Sequence, residues 1–195
     1  KLDYDQLSDL GHQQAEFVGQ SLSARSIEAG LVVHGAMKRH RETMQGAQKI
    51  WHAYGSIIEN SNFNEFDSDD VIAAAHAELN IPGFYKDGIA SNNLVQKMAL
   101  GTYLAKQKNP KKAFQELFSI AIDRWVSGEY DEDYIESWNQ FSQRCRDALK
   151  ATIKQAAGKD VVVFTSGGPI TAVAQYCLGS RTPPLIQLRG PRLNK

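Results

Sequence analysis

Arg39 and Arg41 sit in the stretch Gly-Leu-Val-Val-His-Gly-Ala-Met-Lys-Arg-His-Arg-Glu-Thr-Met-Gln, residues 30 to 45, where their spacing suggests chemistry. The apolar run Leu31 to Val33 reads as a buried strand, Gly35 as the turn, and the residues after it as a helix. A buried parallel strand that hands over to a helix ends at the carboxyl edge of a sheet, where α/β proteins bind ligands. Arginine in the first helical turn adds five fixed donors to the unpaired N–H groups of the helix start. Together they suit a phosphate or carboxylate better than any neutral group. The plain alternative makes Arg39 and Arg41 solvated surface charges.

Two further stretches carry reactive types. Glu65 lies in Phe63-Asn64-Glu65-Phe66-Asp67, and burial beside the two phenylalanines would suit its carboxyl to protonate a leaving group. Otherwise it is a loop acid that caps the following helix. Thr165-Ser166-Gly167-Gly168 follows the run Val161 to Phe164 and offers backbone N–H groups at a helix start, an anion nest or merely a tight turn. It is no Walker loop, since no Gly-Lys-Ser/Thr follows. Nor does it fit the Gly-x-Ser-x-Gly elbow, because Phe164 stands where the first glycine belongs. The histidines 12, 34, 40, 52 and 76 form no His-x-x-x-His or His-x-x-Glu-His pair, which argues against a metal site. His12 and His52 read as surface or boundary positions.

These residues need elements to hold them. Ser8 reads as the N-cap of a helix whose buried face is Leu10, Gln14, Phe17, Val18 and Leu22. Met37, Met44, Ala47 and Trp51 make a core stripe after the first strand, and Ile57 and Ile58 a second strand. Asp67 or Ser68 caps a helix running to Leu79, residues 80 to 93 are irregular, and Leu94 to Lys106 is helical. Asn109-Pro110 opens a helix with the stripe Phe114, Leu117, Phe118, Ala121, Ile122 and Trp125. A further helix from about Tyr134 carries Trp138, Phe141, Cys145, Leu149 and Ile153 to Gly158. Val161 to Phe164 is a strand, Pro169 opens a helix ended by Gly179, and Leu185 to Leu188 is a last strand. Strands separated by helices give an α/β fold with a mostly parallel central sheet in three α/β/α layers. The nearly strandless residues 61 to 135 read as a helical insertion over the site, within one domain spanning 1 to 195.

Composition narrows the classes. With 195 residues, 42% apolar and 23% charged, the chain is an ordinary globular length and make-up. Net charge is zero and the basic residues are scattered, so no nucleic-acid surface is expected. No apolar run approaches the ~20 residues of a membrane helix. Cys145 and Cys177 lie in apolar helical contexts and read as buried thiols of a reducing, cytoplasmic setting. A homodimer is compatible with this make-up, but no exposed stripe argues for one.

Taken together, the motifs resemble the histidine phosphatase superfamily, the phosphoglycerate-mutase-like α/β proteins. Leu7-Ser8-x-x-Gly11-x-x-Gln14-Ala15 is similar to the family's Leu-Thr-x-x-Gly-x-x-Gln-Ala element, and Gly35-Ala36-Met37-Lys38-Arg39-x-x-x-Thr43 to its Ser-Pro-Leu-x-Arg-x-x-x-Thr element. Residues 63 to 67 resemble the loop bearing its acid. Glu136-Ser137-Trp138 with Phe141 and Arg144 resembles the opening of the long helix before the late strand. Residues 161 to 168 resemble the strand and turn that normally end Ser-His-Gly-Gly, with Ser166 in the histidine's place.

The resemblance implies phosphoryl transfer from a small phosphorylated substrate through a phosphohistidine, without metal or organic cofactor. Arg39 would clamp phosphate, Glu65 would be the acid, and Ser166 with Gly167 would line the phosphate turn. The family's nucleophile belongs to an Arg-His-Gly element expected upstream of Ser8, in a longer parent; His34-Gly35 lies on the strand leading to Arg39 and is not its counterpart. Hydrolysis is favoured over mutase action, because a mutase must hold and re-orient its intermediate. The alternatives are a non-catalytic binder of phosphorylated ligands and, from the glycine turn alone, an unrelated nucleotide-binding α/β domain.

Overall fold

A computed structural model describes residues 5–52, 54–84 and 94–179. It divides into two compact units, Lys1–Glu65 with Ser142–Lys195, and Phe66–Phe141.

In the first unit, β1 (Ala29–His34) lies between β2 (Tyr54–Glu59) and β3 (Val161–Phe164), all parallel. Val33 pairs with Ile58 on one side and Val163 on the other. The continuous apolar run of β1 follows from this central place, since both of its faces are covered. On one face Val32 packs with Met44, Ala47 and Trp51, from and beyond α2 (Lys38–Gln48). On the other, Leu31 and Val33 pack with Phe63 and with Ala148 and Ala156 of α7 (Trp138–Ala156). Both faces are therefore covered, as three α/β/α layers require. α1 (Asp9–Ala24) is capped by Ser8, whose Oγ accepts from Gly11 N at 3.1 Å.

The buried face of α1 differs from the expected one. Leu10 and Phe17 are each 61% exposed and Val18 is exposed too, while Ala15 and Gly19 are buried. The reason is close approach. A Cβ on Gly19 would lie 2.3 Å from the Ala47 carbonyl oxygen, and one on Gly46 would lie 2.6 Å from the Ala15 Cβ. The helices meet along small residues, and the large apolar ones are turned outward.

In the second unit, Asp67 caps α3 (Ser68–Ala74) by accepting from Asp69 N and Asp70 N. The short α4 (His76–Leu79), α5 (Leu94–Ala105) and α6 (Pro110–Ser127) follow, with Asn109 capping α6 and Gly128 ending it at φ +72°. Among the described residues of this unit there is no strand. Trp125, Trp138, Phe141 and Phe66 form an aromatic cluster with centroids 4.6 to 5.8 Å apart. Arg124 donates to Glu78, Asp133 and Tyr134 and stacks on Tyr130, tying α6 to α4 and to the acidic turn.

Other expectations need correction in detail. Phe114 and Ile153 are exposed, and the buried line of α7 runs through Phe141, Cys145, Ala148, Thr152 and Ala156. That helix begins at Trp138, the first residue of its stripe and four residues after the expected start near Tyr134, and a 3-10 turn occupies Asp131–Asp133. Cys145 is buried but Cys177 is exposed. α8 (Gly167–Leu178) starts two residues before Pro169, with Ser166 as N-cap, and ends at Gly179 as expected. The strand expected at 185 to 188 lies outside the described residues.

Candidate functional site

At the carboxyl ends of β1 and β3 the chain twice turns from strand into helix. Gly35 N donates to the Phe164 carbonyl at 3.1 Å, so the two turns start side by side. Asn64 Oδ1 accepts from Ala36 N at 2.7 Å, which fastens the loop carrying Glu65 to the first turn. Arg144 of α7 donates to the carbonyls of Asn62 and Asn64 at 2.8 and 3.2 Å, and Thr165 Oγ1 donates to that of Phe63. Glu65, thus held, accepts from Gly168 N through Oε2 at 3.2 Å. The helix that follows the loop is capped by Asp67, so the carboxylate of Glu65 serves the start of α8 instead.

Arg39 occupies the first turn of α2, and its side chain is 23% exposed. Its Nη1 donates to Asp5 Oδ1 at 2.9 Å. The other carboxylate oxygen of Asp5 accepts from Lys38 N at 2.8 Å, the first N–H of the helix. An oxyanion therefore already occupies the seat expected from the sequence, and it belongs to the chain itself. Gln6 and Leu7 hold the neighbouring segment in place, Gln6 Oε1 accepting from Lys38 Nζ and Leu7 N donating to Glu42 Oε2. Arg41 points elsewhere, toward Glu59 at 3.8 Å, with both side chains nearly half exposed.

The link between the two turns is His40. Its Nε2 is hydrogen-bonded to Ser166 Oγ. The residue is 3% exposed, and its Nδ1 has no hydrogen-bond partner. Burial, with Arg39 and His34 adding to it and Asp5 opposing, lowers its pKa from 6.5 to about 4. The imidazole is neutral at pH 7. A Cβ at residue 35 would lie 2.2 Å from Nδ1, so glycine there makes room for the ring. His34 is buried as well and turns Nδ1 onto the Gly35 carbonyl at 2.9 Å.

Of the sequence-derived set, Ser166, Gly167 and Glu65 gather at the start of α8, while Arg39 sits at the start of α2 and meets that cluster through its neighbour His40. His40, Asp5, Asn64 and Arg144 had no chemical role in the sequence reading. The glycine five residues before His40 was its one available sign. Among the described residues no group of three or more His, Cys, Asp or Glu side chains is placed to hold a metal. An open cleft of about 570 Å³, lined by Glu28, His52, Lys159 and Asp160 among others, lies at the opposite edge, where the strands begin.

Residues 96–190 match the histidine phosphatase superfamily (branch 1). Solved structures similar to the chain include the mycobacterial glucosyl-3-phosphoglycerate phosphatase with inorganic phosphate and mycobacterial hydrolase 1. Each is 16% identical with a TM-score of 0.53, over 94% of this chain and 74% of that one. The native form of the former aligns at 16% identity and a TM-score of 0.51, over 95% of this chain and 75% of that one. The chain has the histidine phosphatase fold. No curated protein sequence matches it. The matched family and the similar structures agree with the motif resemblance. Among the described residues no helix is long and apolar enough to cross a membrane.

Proposed function

We propose that this chain supplies the phosphate seat and acid of a phosphomonoester hydrolase that works through a phosphohistidine on a small phosphorylated substrate. The observation that carries the reading is the Asp5 carboxylate, held by Lys38 N at 2.8 Å and Arg39 Nη1 at 2.9 Å. A helix N-terminus and a guanidinium that grip one oxyanion have the donors to grip another, and a phosphoryl group brings more charge and more acceptors. Phosphate displaces Asp5 in this reading. Arg39 then stabilises the equatorial oxygens, the start of α8 at Ser166 and Gly167 faces the same group, and Glu65 protonates the leaving oxygen. The guanidinium and helix N–H groups do the charge work, so no metal is invoked. The tripeptide Arg-His-Gly does not occur in residues 1 to 195, and in this reading the phosphoryl acceptor is the histidine of such an element, which these residues do not supply. The free cysteines suit a cytoplasmic setting.

The test is turnover of a chromogenic aryl phosphate, with and without EDTA. The 195-residue chain is expected to show none, and the chain extended by an upstream Arg-His-Gly strand to show turnover that EDTA leaves unchanged. Turnover of the aryl phosphate by residues 1 to 195 alone would overturn the assignment of the acceptor. An inactive extended chain that still binds vanadate would favour the non-catalytic binder.

A further inference from the structure

We propose that Ser166 and His40 form a nucleophile–base pair that takes up acyl groups from small, activated carboxylic esters, an activity separate from phosphoryl transfer. Ser166 follows Thr165 between the end of the parallel strand β3, whose three valines are half-buried, and the first turn of a helix of twelve residues, and is itself half-buried. That is the strand–serine–helix setting of a nucleophile elbow, with Gly168 two residues on. The first glycine of the elbow is replaced by Phe164, whose ring packs in the core with Val32 and Ala47, below the turn. The serine keeps its place between strand and helix, on an ordinary extended backbone (φ −100°, ψ 176°) in place of the strained turn of an elbow.

The second observation is independent of the turn. A histidine from another element is hydrogen-bonded to that serine through Nε2, and the residue is almost fully buried. With its proton on Nδ1, the neutral ring accepts the hydroxyl proton of Ser166. Oγ then bonds to the acyl carbon, the carbonyl π pair moves to oxygen, and the serine proton passes to Nε2. The oxyanion faces the first-turn N–H groups of α8, of which that of the exposed Gly167 is nearest in sequence. Collapse breaks the bond to the aryloxide, and Nε2–H returns its proton to solvent or leaving group. Water, deprotonated by the same ring, frees the acid and restores the serine.

No side chain reaches Nδ1, so the pair lacks the orienting carboxylate of a triad. Loss of that group costs on the order of 10⁴ in kcat in serine proteases. Covalent capture, more than turnover, is therefore the sensitive readout. The experiment treats the full chain with a fluorophosphonate, whose phosphorus bonds to Oγ as fluoride leaves, and locates the adduct by peptide mass spectrometry. The adduct is expected on Ser166, absent from Ser166→Ala, and formed at least ~10-fold more slowly by His40→Gln at an unchanged melting temperature. Slow release of p-nitrophenol from the acetate, with none from the phosphate, accompanies it. If either variant fails to fold, the adduct on the unmodified chain still decides. An adduct elsewhere, or none on the folded protein, overturns the proposal and leaves the phosphate reading untouched.

Discussion

Charge and protonation decide what each residue of the site can do. His40 is the plainest case, since burial acts first on its ring and brings its pKa to about 4. The unfolded chain, with a histidine near 6.5, binds that proton more readily, so stability rises with pH between about 4 and 6.5. The contribution is complete above pH 6.5 and is lost on acidification toward 4. Denaturant unfolding at pH 7 and pH 4.5 should show a loss roughly 2 kcal/mol larger in the unmodified chain than in His40→Gln, which cannot titrate. Equal losses would mean that the ring is solvated. The place of Arg39 in the first turn of α2 was legible from the strand, glycine turn and helix around it, whereas the spacing did not separate it from Arg41, which lies half-exposed beside Glu59. His40 was not legible, because its role depends on Ser166, which is 126 positions away in the chain. Asp5 left no sign either, being one acid in a short polar segment.

Elements were read well where periodicity and caps agreed. Ser8, Asp67 and Asn109 each cap the helix they announce, and β1 and β3 match their apolar runs. Hydrophobic size does not mark the buried face of α1, where Ala15 and Gly19 are buried and Leu10 and Phe17 are exposed. Close packing selects small residues instead when two backbones approach. Gly19→Ala tests this. Helix propensity favours the change by roughly 1 kcal/mol, yet the added methyl meets the Ala47 carbonyl at 2.3 Å and backbone cannot yield cheaply. The clash should win, with a net loss of about 1 to 3 kcal/mol by thermal unfolding. A neutral or stabilised variant would mean that α1 and α2 are farther apart than described. The exposed Leu10 and Phe17 on the outer side of α1 follow from the same contact.

At the scale of the molecule, the order of strands and helices was legible, and Phe66–Phe141 forms a compact unit with no strand among its described residues. Long-range closure was not. Asn64, Arg144 and Thr165 lock the Glu65 loop through backbone carbonyls and one amide, contacts that any residue of the right shape could make and that no spacing reveals. The proposed anion seat rests likewise on folding, since the Asp5 contacts with Lys38 N and Arg39 join the segment before α1 to the start of α2. Its most direct test is isothermal calorimetry of orthovanadate against the unmodified chain, Arg39→Ala and Asp5→Asn. The unmodified chain should bind, Arg39→Ala should lose ~10-fold or more in affinity, and Asp5→Asn should gain roughly 3- to 10-fold, as a charge-assisted internal competitor becomes a neutral one. Equal affinity in all three would contradict the seat at the start of α2.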